Sequence, residues 1–201
     1  ALAKLDRFGV SAAMIRDCLH SFPNCELLVG RAPSLSDFRK PALALSPHGI
    51  GHTVRVMFWV SFLARIQGLD ERTVLLALSA AYLHDLARID EAPGFQHGEA
   101  AAGSGKTQAL LSDLDLTAEE CAAVCHAIRQ HCVEDDDLDD PLDTVSQLLR
   151  NADALDRGRF GEPGEPEGCD VDRLGLPLFQ TRPGLAHALA RIAFQVAAFT
   201  Q

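Results

Sequence analysis

A histidine and an aspartate stand side by side at the end of the most apolar stretch of the chain. Between Thr73 and Leu83 only three side chains carry a polar group, and His84 and Asp85 follow directly. A helix that is apolar on every face is normally buried, and a buried carboxylate without a partner is costly. The pair therefore needs a compensating charge, and a metal ion is the natural candidate.

Two other stretches offer further ligands on the inward sides of helices. His52 falls in the first turn of a predicted helix, on its apolar stripe, so we expect it to face the interior. Asp153 lies at the edge of the buried face of another helix, near the C-terminus, where the helix dipole disfavours an anion. Asp156 shares this unfavourable position, although a surface pair with Arg157 or Arg159 would explain it equally well.

Two imidazoles and two carboxylates make a mixed set of nitrogen and oxygen donors. Such a set suits Mn, Fe, Co, Ni or Zn, and it differs from a calcium site and from a thiolate-bound structural zinc site. An ion of this kind lowers the pKa of a bound water and polarises a phosphoryl oxygen. The pattern leaves open whether one ion or two are bound.

The remaining histidines bear on the number of ions. If a second ion is present, we expect His97 and His131 to be its ligands. His97 opens a predicted helix, where capping is the alternative role, and His131 lies three residues after Ile128 on an inward helix face. His126 lines up with Glu119 on the more polar side of the same helix, so His131 is preferred.

Three motifs containing these residues occur in a fixed order. They are Gly51-His52-Thr53-Val54-Arg55-Val56, Tyr82-Leu83-His84-Asp85-Leu86-Ala87-Arg88 and Asn151-Ala152-Asp153-Ala154-Leu155-Asp156-Arg157. Together they resemble the HD superfamily of metal-dependent phosphohydrolases, over roughly residues 48–157. The resemblance implies an all-α fold, an HD-domain helical bundle, in a single domain over residues 1–201 with flanking helices at both ends. It also implies metal ligands, which are His52, His84, Asp85 and Asp153, with His97 and His131 where two ions are held.

The same resemblance implies a phosphomonoesterase or phosphodiesterase that acts on a nucleotide-like or other small phosphorylated substrate. Asp85 and Arg88 are the expected catalytic residues. Arg55, Arg88 and Arg157 are the expected phosphate contacts, with Lys106 as a weaker candidate, and ion pairing with buried carboxylates explains Arg55 and Arg88 equally well. Arg88 stands where some nucleotidase members carry a glutamate, which counts against a simple 5′-nucleotidase. The absence of a Gly-Tyr-Pro signature counts against the cyclic-dinucleotide branch.

Two other functions fit the same ligand pattern. A smaller branch of the superfamily uses a mixed-valent di-iron centre for oxygenase chemistry, which would need six protein ligands. A non-catalytic sensor or binding module could also retain the metal for stability. All four signature ligands are present, whereas a degenerate module would be expected to have lost some of them.

Helices must position these residues, and we find no convincing alternation typical of a strand. Gly68 is a predicted helix end, Asp70 a predicted start, and Thr117 to Glu120 form a capping box. We expect loops at 22–47, with room for one short helix, at 134–140 and at 161–168. The predicted helices are 11–20, 50–67, 70–87, 98–112, 117–132, 142–156 and 185–199.

Composition narrows the class of protein. There are 18 Lys and Arg against 28 Asp and Glu, a formal charge of −10, which argues against general nucleic-acid binding or binding to anionic membranes. No apolar stretch has the length of a membrane span, and the first residues lack a signal-peptide pattern, so we expect a cytoplasmic protein. The six cysteines form no CxxC pair and are expected to be reduced core thiols. The sequence leaves a homo-oligomer open.

Overall fold

The protein is described here by a computed structural model covering residues 33–92, 94, 96–134, 138, 142–160, 174–182 and 184–199. This part of the chain is helical and contains no strand, so the predicted all-α fold is confirmed. The predicted helix at 11–20 and the predicted loop at 161–168 lie outside the described residues. The α-helices are α1 (Ile50–Gln67), α2 (Glu71–Leu83), α3 (Gln96–Ala102), α4 (Gly105–Asp113), α5 (Ala118–Gln130), α6 (Thr144–Asp156), α7 (Pro177–Thr181) and α8 (Leu185–Phe199).

Helix α2 is the centre of the bundle. Asp70 caps it by accepting the backbone N–H of Thr73 at 2.9 Å, and every residue from Val74 to Leu83 is buried. Helices α1, α5 and α6 all pack against it, α1 and α6 also pack against each other, and α3 packs on α5. An apolar helix therefore lies buried where the sequence predicts it, and its C-terminal end is surrounded by helices that carry polar groups.

Helix α1 has the predicted bounds. It ends at Gly68, whose φ of 68° lies in the left-handed region, and the Gly68 N–H bonds back to Ala64 and Arg65. Helix α5 begins with the predicted capping box, in which Thr117 and Glu120 each accept the other's backbone N–H. It ends at Gln130, two residues before the predicted end, and α6 begins at Thr144, capped by Asp143.

Helix α2 ends at Leu83, so the predicted end near Ala87 is wrong. The ring Nδ1 of His84 lies 2.7 Å from the carbonyl oxygen of Ala81, which a continuing helix would offer to the N–H of Asp85. The backbone then continues in turns, with the Arg88 N–H bonded to the Asp85 carbonyl at 3.1 Å. His84 and Asp85 therefore follow the C-terminal end of α2 instead of lying on a lateral face of the helix.

The predicted helix at 98–112 is two helices, α3 and α4, with a break at Gly103 and Ser104. The Ser104 hydroxyl accepts the N–H of Thr107 at 3.1 Å, which starts α4. The Thr107 hydroxyl in turn donates to the carbonyl oxygen of Ala101 at 2.6 Å, which closes the end of α3. Side-chain capping explains the break, because these hydroxyls take the bonds that a continuous helix would make between backbone groups.

Two short 3-10 helices, Leu35–Asp37 and Pro41–Leu45, precede α1, and a third, Arg157–Phe160, follows α6. The segment before α1 was predicted as loop with one short helix. Helix α7 was not predicted, whereas α8 has the predicted bounds. None of the described helices is both long and apolar enough to cross a membrane.

Candidate metal centre

Four predicted ligands meet where the start of α1, the end of α2 and the last turn of α6 converge. Nε2 of His52 lies 3.1 Å from Nε2 of His84 and 3.3 Å from Oδ1 of Asp153. Oδ2 of Asp85 lies 3.6 Å from the first of these nitrogens and 3.7 Å from the second. The side chains of His52, His84 and Asp85 are at most 2% exposed, whereas that of Asp153 is 25% exposed. We call these four residues the inner group.

The other oxygen of Asp85 faces a second set of ligands. Its Oδ1 lies 3.4 Å from Nε2 of His97 and 3.6 Å from Nε2 of His131. These two nitrogens are themselves 3.1 Å apart. We call His97 and His131 the outer pair. One carboxylate therefore stands between two groups of donor atoms, with one oxygen turned to each.

The other ring nitrogens fix the direction of the lone pairs. Nδ1 of His84 lies 2.7 Å, and Nδ1 of His131 2.6 Å, from the carbonyl oxygen three residues earlier in the chain. A carbonyl oxygen only accepts, so both Nδ1 atoms donate, and in the neutral form of each ring Nε2 carries a lone pair. Nδ1 of His52 likewise lies 2.7 Å from a carboxylate oxygen of Asp156. Such partners commonly orient histidine ligands of metals.

The donor set fits a cation. Two Nε2 lone pairs facing each other at 3.1 Å repel unless a positive charge lies between or beside them. Burial lowers the pKa of His84 to about 3 and that of His97 to about 4, so both rings are neutral at neutral pH. In the described part of the chain, the buried Oδ1 of Asp85 has no hydrogen-bond donor. Neutral imidazoles and ionised carboxylates are the forms that bind divalent transition metals.

The carboxylates are ionised despite their position. Burial alone would raise the pKa of Asp85, but the protonated forms of the surrounding imidazoles, His84 first, and the Arg88 cation hold it well below its usual range. The pKa of Asp153 is lowered in the same way, against burial, chiefly by His52. The candidate centre is therefore rich in negative charge and lone pairs and poor in donors.

Every ligand lies at a helix end. His52 is in the first turn of α1 and His97 in the first turn of α3, while His84 and His131 directly follow α2 and α5. Asp153 is in the last turn of α6. Side chains from several helix ends therefore meet at one centre.

Asp156 is buried, so of the two explanations that the sequence leaves open, the surface pair with Arg157 or Arg159 is excluded. Its side chain has no exposure and accepts from Nδ1 of His52 at 2.7 Å and from Nε of Arg55 at 2.7 Å. A second guanidinium nitrogen of Arg55 lies 3.2 Å away. The reason is packing: α1 and α6 lie side by side, which brings Arg55, one turn after His52, against the last turn of α6. Arg55, predicted as a phosphate contact or an ion-pair partner, is thus engaged by a buried carboxylate.

Arg88 lies against the outer pair. Its Nε is 2.9 Å from Oδ1 of Asp85, an ion-pair distance, but the N–H is not aimed for a hydrogen bond. Its Nη2 lies 3.2 Å from Nε2 of His97, and its Nη1 donates to the carbonyl oxygen of Ala92. A protein cation therefore stands beside the acceptors, as expected of a site that attracts positive charge.

The other predicted contacts lie at different distances from the centre. Arg157 is exposed and lines a small crevice with His131 and Asp153. The ammonium of Lys106 contacts the carbonyl oxygen of Ser36 and lies 3.6 Å from Asp37, at the 3-10 segment. The His126 side chain is 50% exposed and lies near Asp143. The structure thus places His131, not His126, in the outer pair.

Two features of the site had no clear signal in the sequence. Cys132 has a sulfur close to nitrogens of His97 and His131, and burial raises the pKa of its thiol, which favours the protonated form over a thiolate ligand. A cleft of about 330 Å³ opens beside His97, and Arg39 and Arg88 both contribute to its lining. Arg39 comes from the Pro- and Ser-rich segment before α1, where nothing in the sequence marks it.

Comparison with known proteins agrees with this geometry. Residues 49–158, more than half of the chain, match the model of the HD domain family. Neither the curated proteins nor the solved structures gave a significant match. The matched region begins just before the helix that carries His52 and ends just after Asp156, so it contains both ligand groups. This chain belongs to the HD domain family.

Proposed function

We propose that the protein is a metal-dependent phosphohydrolase that holds two divalent ions and cleaves a small phosphorylated substrate with water. The observation that carries this proposal is the position of the Asp85 carboxylate. Its Oδ2 faces His52 and His84, and its Oδ1 faces His97 and His131, all at 3.4–3.7 Å. A carboxylate shared between two sets of imidazoles is suited to bridging two ions.

The residues divide into two ligand sets. The inner group, His52, His84, Asp85 and Asp153, would hold one ion, and the outer pair with the second oxygen of Asp85 would hold the other. An ion bound there supplies a lowered pKa for a water ligand and positive charge beside the phosphoryl oxygens. Mn, Fe, Co, Ni and Zn all accept this donor set.

The protein's own groups orient the substrate and the ligands. Arg88 has a side chain 11% exposed that lies at the boundary between Asp85 and the cleft, so its guanidinium can contact a phosphate that enters there. Arg157 borders Asp153 and His131 from the crevice on another side. Asp156 and Arg55 hold the ring of His52 in place by the contacts described above. The negative net charge does not oppose this function, because bound divalent ions reverse the local field.

The cleft beside His97 offers the substrate a route to the ligands. Its volume of about 330 Å³ is in the range of small-molecule sites, which is roughly 300–1,000 Å³. The described lining contains no aromatic side chain apart from the ring of His97. This cleft supports a small phosphorylated substrate and offers little for stacking a base.

Metal content and turnover test the proposal together. Protein purified without added metal should contain two ions per chain by elemental analysis, and His131→Ala should retain one. His126→Ala is the matched control and should retain both, because that side chain lies outside the centre. Mn-loaded protein should hydrolyse p-nitrophenyl phosphate or bis(p-nitrophenyl) phosphate. Absence of turnover on a broad panel of phosphate esters by fully loaded protein would refute the proposal.

A second candidate is a di-iron oxygenase on the same scaffold. One observation favours it: four histidines and two aspartates surround the centre, which is the six-ligand set that such a site requires. Iron-loaded protein should then give a mixed-valent electron paramagnetic resonance signal. Stability that falls on chelation, without such a signal and without phosphate-ester turnover, would instead indicate a non-catalytic module.

A further inference from the structure

We propose that the cleft beside His97 binds a second anionic group of the substrate, and that Arg39 is the residue that selects for this group. The proposal rests on the proposed function in one respect, since the ions and Arg88 are taken to hold the phosphate that is cleaved. It adds the substrate class, which is a phosphate ester that carries another phosphate or a carboxylate.

The charge of the cleft supports an anionic ligand. Two guanidinium groups, those of Arg39 and Arg88, belong to its described lining, and His97 joins it to the ligands of the second ion. The carboxylate in that lining is Asp90, and its Oδ1 accepts the N–H of Ala92 at 3.1 Å within its own loop. The described lining therefore carries two guanidinium groups against one carboxylate, in a chain whose net charge is negative.

Arg39 is held at the cleft by its backbone. The Arg39 N–H donates to the carbonyl oxygen of Leu86 at 2.8 Å, one residue after the bridging Asp85. The preceding Phe38 is 3% exposed and belongs to the core. Asp37 is contacted by Lys106 and lies 3.5 Å from the hydroxyl of Tyr82. These contacts attach the segment before α1 to the turn that carries the ligands.

The Arg39 side chain lacks the ion pair that several other arginines of the described residues make. In the described residues Arg55, Arg72 and Arg129 each make an ion pair with a carboxylate. The exposed side chain of Arg39 makes no such pair within the same described part, although its backbone is fixed. A guanidinium that is positioned without an internal partner is available to form paired hydrogen bonds with a carboxylate or phosphate.

The geometry gives the two arginines different tasks. Arg88 contacts Asp85 and His97, so it acts at the phosphate next to the ions. Arg39 reaches the same cleft from the segment before α1 and makes no described hydrogen bond or ion pair with a ligand, so we assign it a different anionic group of the substrate. A substrate with one phosphate and an uncharged remainder would leave Arg39 unused.

Binding of non-hydrolysable phosphonates tests this proposal without relying on turnover. We would titrate the Mn-loaded 201-residue chain by calorimetry with ethylphosphonate, 3-phosphonopropionate and 1,2-ethylenediphosphonate. The first has one anionic group, the second adds a carboxylate, and the third adds a phosphonate. We expect at least one doubly anionic ligand to bind about tenfold more tightly than ethylphosphonate, as for one charged hydrogen-bonding contact. The tighter of the two identifies the second group.

Variants assign the preference to Arg39. Arg39→Gln should remove the preference and leave ethylphosphonate affinity unchanged, and Arg39→Lys should restore part of it. The adjacent, exposed Lys40 does not belong to the described lining of the cleft, so Lys40→Gln is the matched control and should behave as wild type. Equal affinities for the three ligands in wild type, or the same loss in the glutamine variants of both residues, would overturn the proposal. Turnover without this preference would overturn the inference alone, whereas preference without turnover would overturn the phosphohydrolase proposal alone.

Discussion

Replacing Asp156 with asparagine separates two roles that one buried carboxylate performs. The side chain has no exposure and accepts from both His52 and Arg55 at 2.7 Å. Removing one partner of a buried ion pair costs roughly 3–5 kcal/mol. Asparagine keeps the shape and one acceptor oxygen, so we expect the free energy of unfolding of the metal-free protein to fall by about 3 kcal/mol.

The same substitution should weaken metal binding through His52. The carboxylate orients the ring and makes its Nε2 a better donor, and loss of such a partner typically lowers metal affinity about 10–100-fold. The effect should fall on the ion of the inner group, since Asp156 contacts His52 of that group. Calorimetric titration with Mn would measure the two affinities, and urea unfolding of metal-free protein would measure stability.

A double variant distinguishes the two effects. Adding Arg55→Met to Asp156→Asn removes the guanidinium whose buried carboxylate partner the first change neutralises, so most of the lost stability should return, whereas metal affinity should stay low. Asp143→Asn is a matched control at the other end of α6. Asp143 caps the helix through its side chain, and asparagine is about as favourable at a helix N-cap as aspartate, so this change should cost little stability and leave metal affinity unaltered. Wild-type affinity for both ions in Asp156→Asn would refute the assigned role.

Three further outcomes follow from the same geometry. His97→Ala should bind one ion instead of two by elemental analysis, with full retention in His126→Ala; two ions in His97→Ala would contradict the two-ion site. Metal-free protein should be most stable above pH 6.5, and its free energy of unfolding should fall on the order of 2 kcal/mol for each of His84 and His97 by pH 5. The reason is that the pKa values of about 3 and about 4 keep these two rings neutral in the folded state, whereas the unfolded chain binds protons there. A free energy of unfolding in urea that does not change with pH would contradict this. Gly98→Ala should cost roughly 1–3 kcal/mol and loosen the second ion, since its Cβ would lie 2.7 Å from a carbonyl oxygen of the helix that precedes His131; unchanged unfolding and metal content would contradict it.

The helices that carry the inner group were predictable because their signals are local. Gly68 ends α1 and Asp70 starts α2 through bonds to residues within five positions, and such bonds are visible in the sequence. The apolar run of α2 predicted its burial. The inward positions of His52 and His131 likewise followed from the spacing of apolar residues around them.

The errors concern contacts between distant parts of the chain. Asp156 meets His52 and Arg55 across 104 and 101 residues, and nothing near Asp156 in the sequence distinguishes this from a surface pair. The ends of α2 and α3 were predicted too late because His84 and Thr107 use side-chain atoms to occupy backbone carbonyls. Arg39 lies in a segment whose apolar residues show no helical or strand periodicity, so its position beside the cleft is not predictable from the sequence. The backbone bond to Leu86 shows it in the structure.

The location of the ligands at helix ends has a consequence for local opening. Terminal turns fray at lower free energy than helix interiors, so their amides normally exchange hydrogen readily. An ion shared by the ends of α1, α2 and α6, and a second shared by the ends of α2, α3 and α5, would couple those turns, since none could open without losing a bond to an ion. Addition of Mn should therefore slow amide exchange at Arg88 and around His131, while the already buried middle of α2 should change little. Slower exchange concentrated in these terminal turns would show that metal binding holds the helix ends together.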